Sequence, residues 1–451
     1  MASLGVLWSQ YGPYHFARIS ALKVQASSQS IHALEIASRT HDYQWSRSGA
    51  TVNLITLFPG DVAEQLSFWR VFFRTRKSFA QLRLDVCFIP SYSPKQPLAA
   101  LLAAKSLGVR TVLMIDSHKG TMRTRMLGTW LKRRLVRLFD AALVGGKPQM
   151  AYVESLGMDR EKIFVGYDTV DNEYFARRAA DARSRAAELR DRYDLPNRYF
   201  LSLGRFMRKK NLGTLIRAYR RFLDSTAGTR THLVMVGSGE EETNLRMLCD
   251  ELRLPVYNKM APVIDLRESS TADCRPGVHF YGFRQIEENP TFYALSDAFI
   301  LPSTVEEWGL VINEALSCSL PVVVSETVGS AEDLLRPGTP PGSERSMAWK
   351  PQLGKSIRQN GFVFDPKSVA SLTDALLTLD ADPVLRQTMG EAGRLIVEDF
   401  SCEKFARNAL LAASKALKCA SPATPDVPVP VSSDDSPKSR SAPTARRGQS
   451  G

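Results

Sequence analysis

Two carboxylates and a run of cations have the types and spacing to hold a charged carbohydrate derivative. Glu306 and Glu314 have seven residues between them in the stretch 297–315, DAFILPSTVEEWGLVINEA. Carboxylates accept hydrogen bonds from sugar hydroxyls, and free N–H groups at a helix start favour a phosphate. Gly309, flanked by Trp308 and Leu310, lets a ligand approach the backbone closely. One loop of this kind can hold both halves of a nucleotide sugar. Earlier in the chain, Arg205, Arg208, Lys209 and Lys210 crowd another short connection. Cations there make an anion site and would help a diphosphate depart as a bond to it breaks.

The flanking pattern says what must position these residues. Ala298–Leu301 has the length and composition of a buried strand. Pro302, Ser303 and Thr304 break it, and Leu310, Val311 and Leu316 begin a helix. Glu306 then falls in the loop at the strand's carboxyl end, and Glu314 about one turn into the helix. Phe200–Leu203 reads as another strand. After it, Leu212, Leu215, Ile216, Tyr219 and Leu223 keep helical spacing, with Asn211 placed as an N-cap. In the amino-terminal half, apolar runs recur at Leu4–Trp8, Ile31–Ala37, Val52–Phe58, Val86–Ile89, Val112–Ile115, Ala141–Val144 and Ile163–Val165. Helical stretches separate most of them, which predicts a parallel, doubly wound sheet. Ligands on such sheets bind beyond the carboxyl ends of the strands. Those ends hold Gly12, Tyr14 and His15 in one loop and Asp116, Ser117 and His118 in another.

The order of these motifs resembles the retaining glycosyltransferases of family 4, from about residue 3 to 415 and most strongly from 199 to 366. EEWGLVINEA carries the spacing of that family's donor site. The resemblance implies the GT-B fold, an α/β architecture of two Rossmann-like doubly wound domains facing across a cleft. Residues 1–190 would form the acceptor-side domain and 191–385 the nucleotide-sugar domain. Helices in 386–419 would pack back on the first domain, and 420–451 is disordered by composition. The implied activity moves a sugar from a nucleoside-diphosphate sugar to a hydroxyl acceptor with retention of configuration, without a metal or other cofactor. Arg205 and Lys210 match the pair that grips the diphosphate. Glu306 would orient the sugar hydroxyls, Glu314 would take the ribose, and Trp308, Gly309 and Leu310 would complete the donor loop. His118 matches the histidine that contacts the transferred sugar, with His15 as its rival and Gly12 beside it. A nucleotide-sugar epimerase or a sugar phosphorylase uses the same fold, so fold alone leaves these classes open. Tyr167, Asp168, Thr169, Val170 and Asp171 replace the family's usual residues before the interdomain linker, and Ala176–Arg192 reads as linker and lead-in helix.

Composition sets the remaining bounds. A chain of 451 residues is too long for one ordinary core. Its net charge of +12 calls for an anionic partner, substrate or surface. No zinc spacing or RNA-recognition motif accompanies that charge, which argues against nucleic acid. Much of the charge lies in two amphipathic segments, Phe68–Phe79 and Thr124–Phe139. Each fits a helix lying on anionic lipid, and each fits slightly better a helix packed on the sheet with solvated arginines. Six scattered cysteines form no C-x-x-C pair, so a reducing compartment is expected. Met1–Leu7 lacks a signal-peptide pattern, and no apolar run reaches the ~20 residues of a membrane span. A cytoplasmic protein, peripheral on a membrane at most, is the expectation. Asp380 and Asp382 form a D-x-D between two helical stretches and read as a turn. Leu254–Gly277 and Arg336–Gln359 interrupt the compact pattern as long loops.

Overall fold

A computed structural model describes residues 2–40, 52–93, 95–121, 126–226, 228–259, 275–338 and 359–419. Most of both long loops, the start of the segment 124–139, Cys274 and the tail 420–451 lie outside the described residues.

The first sheet contains β1 (Ser3–Trp8), β2 (Ser30–Arg39), β3 (Leu54–Val62), β4 (Val86–Pro90), β5 (Arg110–Ile115), β6 (Ala141–Val144) and β7 (Ile163–Val165). Its spatial order is β3-β2-β1-β4-β5-β6-β7, and every pairing is parallel. The second contains β8 (Arg198–Leu203), β9 (Thr231–Val236), β10 (Val256–Asn258), β11 (Val278–Phe280), β12 (Ala298–Leu301), β13 (Val322–Ser325), β14 (Pro337–Gly338) and β15 (Gly361–Phe364). Its order is β10-β11-β9-β8-β12-β13-β15-β14, again parallel throughout. Parallel strands need helical crossovers that cover both faces, so their sequences are apolar runs without alternation. The central strands β6, β9, β12 and β13 are buried along their whole length.

The helices are α1 (Pro13–Gln25), α2 (Phe68–Gln81), α3 (Lys95–Ser106), α4 (Met126–Val136), α5 (Lys147–Ser155), α6 (Asn172–Ser184), α7 (Ala186–Tyr193), α8 (Leu212–Ser225), α9 (Glu242–Glu251), α10 (Asn289–Ala294), α11 (Leu310–Ser317), α12 (Ala331–Leu334), α13 (Val369–Ala381), α14 (Pro383–Val397) and α15 (Cys402–Lys418). The stretch read as linker is helical from Asn172. Asp171 caps α6 by accepting from the Tyr174 N–H at 2.8 Å. Phe175, Ala179 and Ala182 then bury into the core of the second sheet. Helix α15 crosses to the first sheet. Its Phe405, Ala406, Ala409, Ala412, Ala413 and Ala416 form one buried stripe against Leu4, Val6 and Ile19. Small residues at helical spacing let α15 lie close to α1 and the strands beneath. The D-x-D is structural: Asp380 accepts from Arg198 and Thr231, and Asp382 caps α14 through the Leu385 N–H.

The strand order turns back between β1 and β4 in the first sheet and between β8 and β12 in the middle of the second. Loops leaving the strands on either side of such a reversal part from one another and open a crevice.

Candidate functional site

The second crevice receives the two motifs that the sequence singled out. The connection after β8 brings Arg205, Lys209 and Lys210, the last two within a 3-10 turn, Arg208–Lys210. The connection after β12 brings Glu306 and Glu307. Strands β8 and β12 are direct neighbours, so residues about a hundred apart in the chain meet (306 − 205 = 101). Lys210 pairs with Glu306, whose Oε2 also accepts from Ser303 Oγ at 3.0 Å. Lys209 pairs with Glu307 at 2.9 Å. Burial works against the Glu307 carboxylate, but Lys209 outweighs it and holds Glu307 below the usual glutamate range. Gly309 stands at φ +88 as α11 begins, a conformation that a side chain would strain. A Cβ there would also lie 3.1 Å from Leu301 and 3.3 Å from Glu306. Across the crevice, Gly237 approaches the Gly204 carbonyl so closely that a Cβ would sit 1.9 Å from its oxygen.

These loops wall a cavity of about 480 Å³. Arg205, Lys210, Glu306, Trp308, Gly309 and Leu310 all line it. So do three residues of the first lobe: Tyr14, Asp116 and Asp168. The cavity therefore lies between the lobes, with the cations and the donor loop on one wall and two aspartates on the other. Its size is that of a small-molecule site. Among the described residues, no group of three or more His, Cys, Asp or Glu side chains is arranged to hold a metal ion.

The lobes are clasped beside this cavity. Gln149 Nε2 donates to the Glu307 carbonyl at 2.8 Å, and the Lys147 N–H donates to Asp333 Oδ2 at 2.9 Å. Burial pushes the Asp333 carboxyl up to about 6 against the pull of that N–H. Trp308 is buried, donates from Nε1 to Asn313 Oδ1, and packs where Gly145 and Gly146 have no side chains. Trp308 therefore serves the contact between lobes as well as the cavity wall.

Residues 197–382 match the glycosyl transferases group 1 family. Over those residues the chain is similar to the glycosyl transferases of group 1. It is 26% identical over 305 residues to an alpha-D-kanosaminyltransferase of Streptomyces kanamyceticus, covering 64% of this chain and 66% of that protein. It is 24% identical to a sulfoquinovosyl transferase of Arabidopsis thaliana, covering 67% of this chain and 51% of that protein. It is 29% identical to a GDP-mannose-dependent alpha-(1-6)-phosphatidylinositol monomannoside mannosyltransferase of Mycolicibacterium smegmatis, covering 50% of this chain and 49% of that protein. The chain thus spans less than two thirds of the length of these relatives. Among solved structures, sucrose-phosphate synthase of Thermosynechococcus elongatus superposes with a TM-score of 0.65 at 16% identity, covering 92% of this chain and 99% of that one. Anabaena HepE, solved with UDP and glucose, gives 0.63 at 16% identity, covering 92% and all of that chain. At such identities the likeness establishes the fold, which is GT-B.

Not every residue expected at the site reaches the cavity. His118 stands behind Glu306. The Gly120 N–H donates to its Nδ1 at 3.2 Å, which leaves the proton on Nε2. Nε2 then donates to the Glu306 carbonyl at 3.1 Å. Both ring nitrogens are used by the protein. Asp116, at the carboxyl end of β5, faces the cavity instead. His15 accepts from the Gly12 N–H at 2.9 Å and packs 4.5 Å from the Trp8 ring. Burial lowers its basicity well below that of an ordinary histidine, and Arg18 adds to this. His15 and Gly12 together shape the start of α1 and do not line the cavity. Glu314 is fully buried on α11 and accepts a hydrogen bond from the Tyr14 hydroxyl of the other lobe. Burial pushes its carboxyl up to about 7, against that hydrogen bond. The Tyr293 hydroxyl lies beside it and, like Tyr14, favours the ionised form.

Two aspartates escaped the sequence reading. Asp116 appeared there only as a loop neighbour of His118, and Asp168 only as a departure from the family pattern. They are 52 residues apart (168 − 116), on loops after β5 and β7, so no spacing rule joins them. The departure at 167–171 was the one available signal.

The basic segments have their own geometry. On α2, Val71, Thr75 and Phe79 are buried, while Trp69 and Phe73 are each 63% exposed and stack on one another. On α4, Trp130 and Leu131 are exposed and the Arg134 guanidinium lies over the Trp130 ring. Among the described residues, no helix is long and apolar enough to cross a membrane.

Proposed function

We propose that the chain transfers a sugar from a nucleoside-diphosphate sugar to a hydroxyl acceptor, with retention of anomeric configuration. The pairing of Lys210 with Glu306 at the β8/β12 reversal carries this reading. It sets a cation for the diphosphate beside a carboxylate for the sugar, at the crevice where such sheets bind ligands. Arg205 and Lys210 stabilise charge on the departing diphosphate, and the backbone near Gly309 and Leu310 adds N–H donors. Glu306 orients the sugar hydroxyls. His118 supports it from behind, holding its main chain. Glu314 takes the ribose hydroxyls once Tyr14 yields its hydrogen bond. The names of the relatives support the donor class: one is GDP-mannose-dependent, and neighbouring structures hold UDP or UDP-glucose. In a same-face course, one of the courses that gives retention, the leaving phosphate takes the acceptor's proton. The exposed aromatic and basic faces of α2 and α4 support a peripheral contact with anionic lipid.

Thermal stabilisation by UDP, GDP, ADP and their sugars identifies the donor through the ligand's preference for the folded state. The product's anomeric configuration, read by NMR, tests retention. Alanine at Arg205, Lys210 or Glu306 is expected to lower transfer by about 10²-fold or more, the size seen when a charge-stabilising donor is removed. Full activity in all three variants would sink the assignment.

A further inference from the structure

We propose that Asp116 and Asp168 form the acceptor subsite and select an acceptor with vicinal hydroxyls, a sugar or a cyclitol. This rests on the transferase reading above and adds the class of acceptor. Both side chains line the cavity from the first lobe, opposite the cations. Asp168 is only 4% exposed, yet its Oδ2 has no hydrogen-bond partner. Its other oxygen lies 3.8 Å from Arg18, an ion pair too long for a hydrogen bond. The Arg18 guanidinium donates instead from Nε to the Thr169 carbonyl at 3.0 Å, and its own Nη2 is buried without a hydrogen bond. Gly145 makes room, since a Cβ there would stand 2.9 Å from Asp168 Oδ2. A buried carboxyl oxygen without a partner, on the wall of a cavity, is a place for a ligand's polar group.

The charges around the pair decide which group. Asp116, Asp168 and Glu307 share the region with Arg18 and Lys209, and Lys209 is already paired with Glu307. Burial pushes the Asp168 carboxyl up to about 8, and the charge on Asp116 adds to this while Arg18 opposes it. Asp116 is shifted upward too, by burial and then by Glu307, with Arg18 and Lys209 opposing. The wall therefore offers two carboxyls that burial biases toward the protonated form, in which a carboxyl both donates and accepts. Two adjacent hydroxyls, each a donor and an acceptor, satisfy that pair. A single hydroxyl on an aliphatic chain would leave one carboxyl unmatched. A phosphate on the acceptor would be repelled.

The test uses the full chain and the nucleotide sugar found in the stabilisation screen. Release of nucleoside diphosphate is followed with myo-inositol, methyl α-D-glucopyranoside, octanol or ethanolamine added. Stimulation by the polyols and not by octanol is expected. Asp116→Asn and Asp168→Asn should each raise the KM for the stimulating polyol by about tenfold or more, with the Kd for nucleoside diphosphate within about twofold. Asp168→Asn should also remove an ionisation near 8 from the pH profile of the polyol-dependent rate. No stimulation by any polyol, stimulation by octanol or ethanolamine alone, an unchanged polyol KM in both variants, or equal losses of polyol and nucleotide affinity would each overturn the proposal. Asp116 is half-buried, so Asp116→Asn keeps the test valid should Asp168→Asn fail to fold. Failure of the native chain to bind any nucleotide appears before an acceptor is added and defeats the transferase reading instead.

Discussion

At the scale of single residues, ion pairs and buried acids divide the work. Lys210 and Glu306 are mostly shielded from solvent, so their interaction is stronger than that of an exposed pair. On the proposed reading, a bound nucleotide sugar replaces it with a partner for each. Glu314 makes a prediction of its own. Its carboxyl titrates near 7 in the fold and near 4.5 when unfolded. The native state therefore binds a proton that the unfolded chain has released, and stability falls as pH rises through that window. Glu314→Gln keeps an oxygen for Tyr14 and removes the titration. Relative to the native chain, the variant is expected to gain stability between pH 5 and pH 8, by about 1–3 kcal/mol at most. Urea denaturation at the two pH values measures it, and a difference independent of pH would refute it.

At the scale of elements, the start of α5 sets how closely the lobes approach. Gly146 precedes it, and a Cβ at that position would lie 2.0 Å from Asp333 Oδ2 and 2.8 Å from the Trp308 ring. Both neighbours are buried and hydrogen-bonded, so neither can retreat cheaply. Gly146→Ala is expected to hold the lobes apart. Transfer should fall about tenfold or more, because closure excludes water and completes the site. Nucleotide affinity should change by less than about threefold, since the loops proposed to bind nucleotide belong to the second lobe. Steady-state kinetics alongside calorimetric titration with nucleotide separates these effects, and equal losses in both would contradict the account.

At the scale of the whole molecule, a net charge of +12 accompanies exposed aromatic side chains on α2 and α4. If those faces meet lipid, Trp69 and Phe73 bury in the interface while Arg70, Arg74 and Lys77 stay at the headgroups. Co-sedimentation with vesicles rich in phosphatidylserine is expected, and with neutral vesicles is not. Raising salt should weaken it, and serine at Trp69 and Phe73 should reduce it by about tenfold. Equal retention on neutral vesicles, or none on anionic ones, would end the lipid reading.

The sequence by itself determined the strands of the first sheet, β8 and β12 of the second, and the makeup of the two loops that follow β8 and β12. Apolar runs and loop residues such as Arg205 to Lys210 and Glu306 to Leu310 are local, and local order is what spacing reports. Strand neighbours were decided only in three dimensions. The β8–β12 pairing joins Lys210 to Glu306, and the loops after β5 and β7 join Asp116 to Asp168. His118 shows the same limit from the other side. Two residues along a loop separate a side chain in the cavity from one turned behind it, and only the path of the backbone after β5 tells Asp116 from His118. Glu314, expected from the resemblance to take the ribose, is held by Tyr14 of the opposite lobe, a contact between residues 300 apart that no spacing reports.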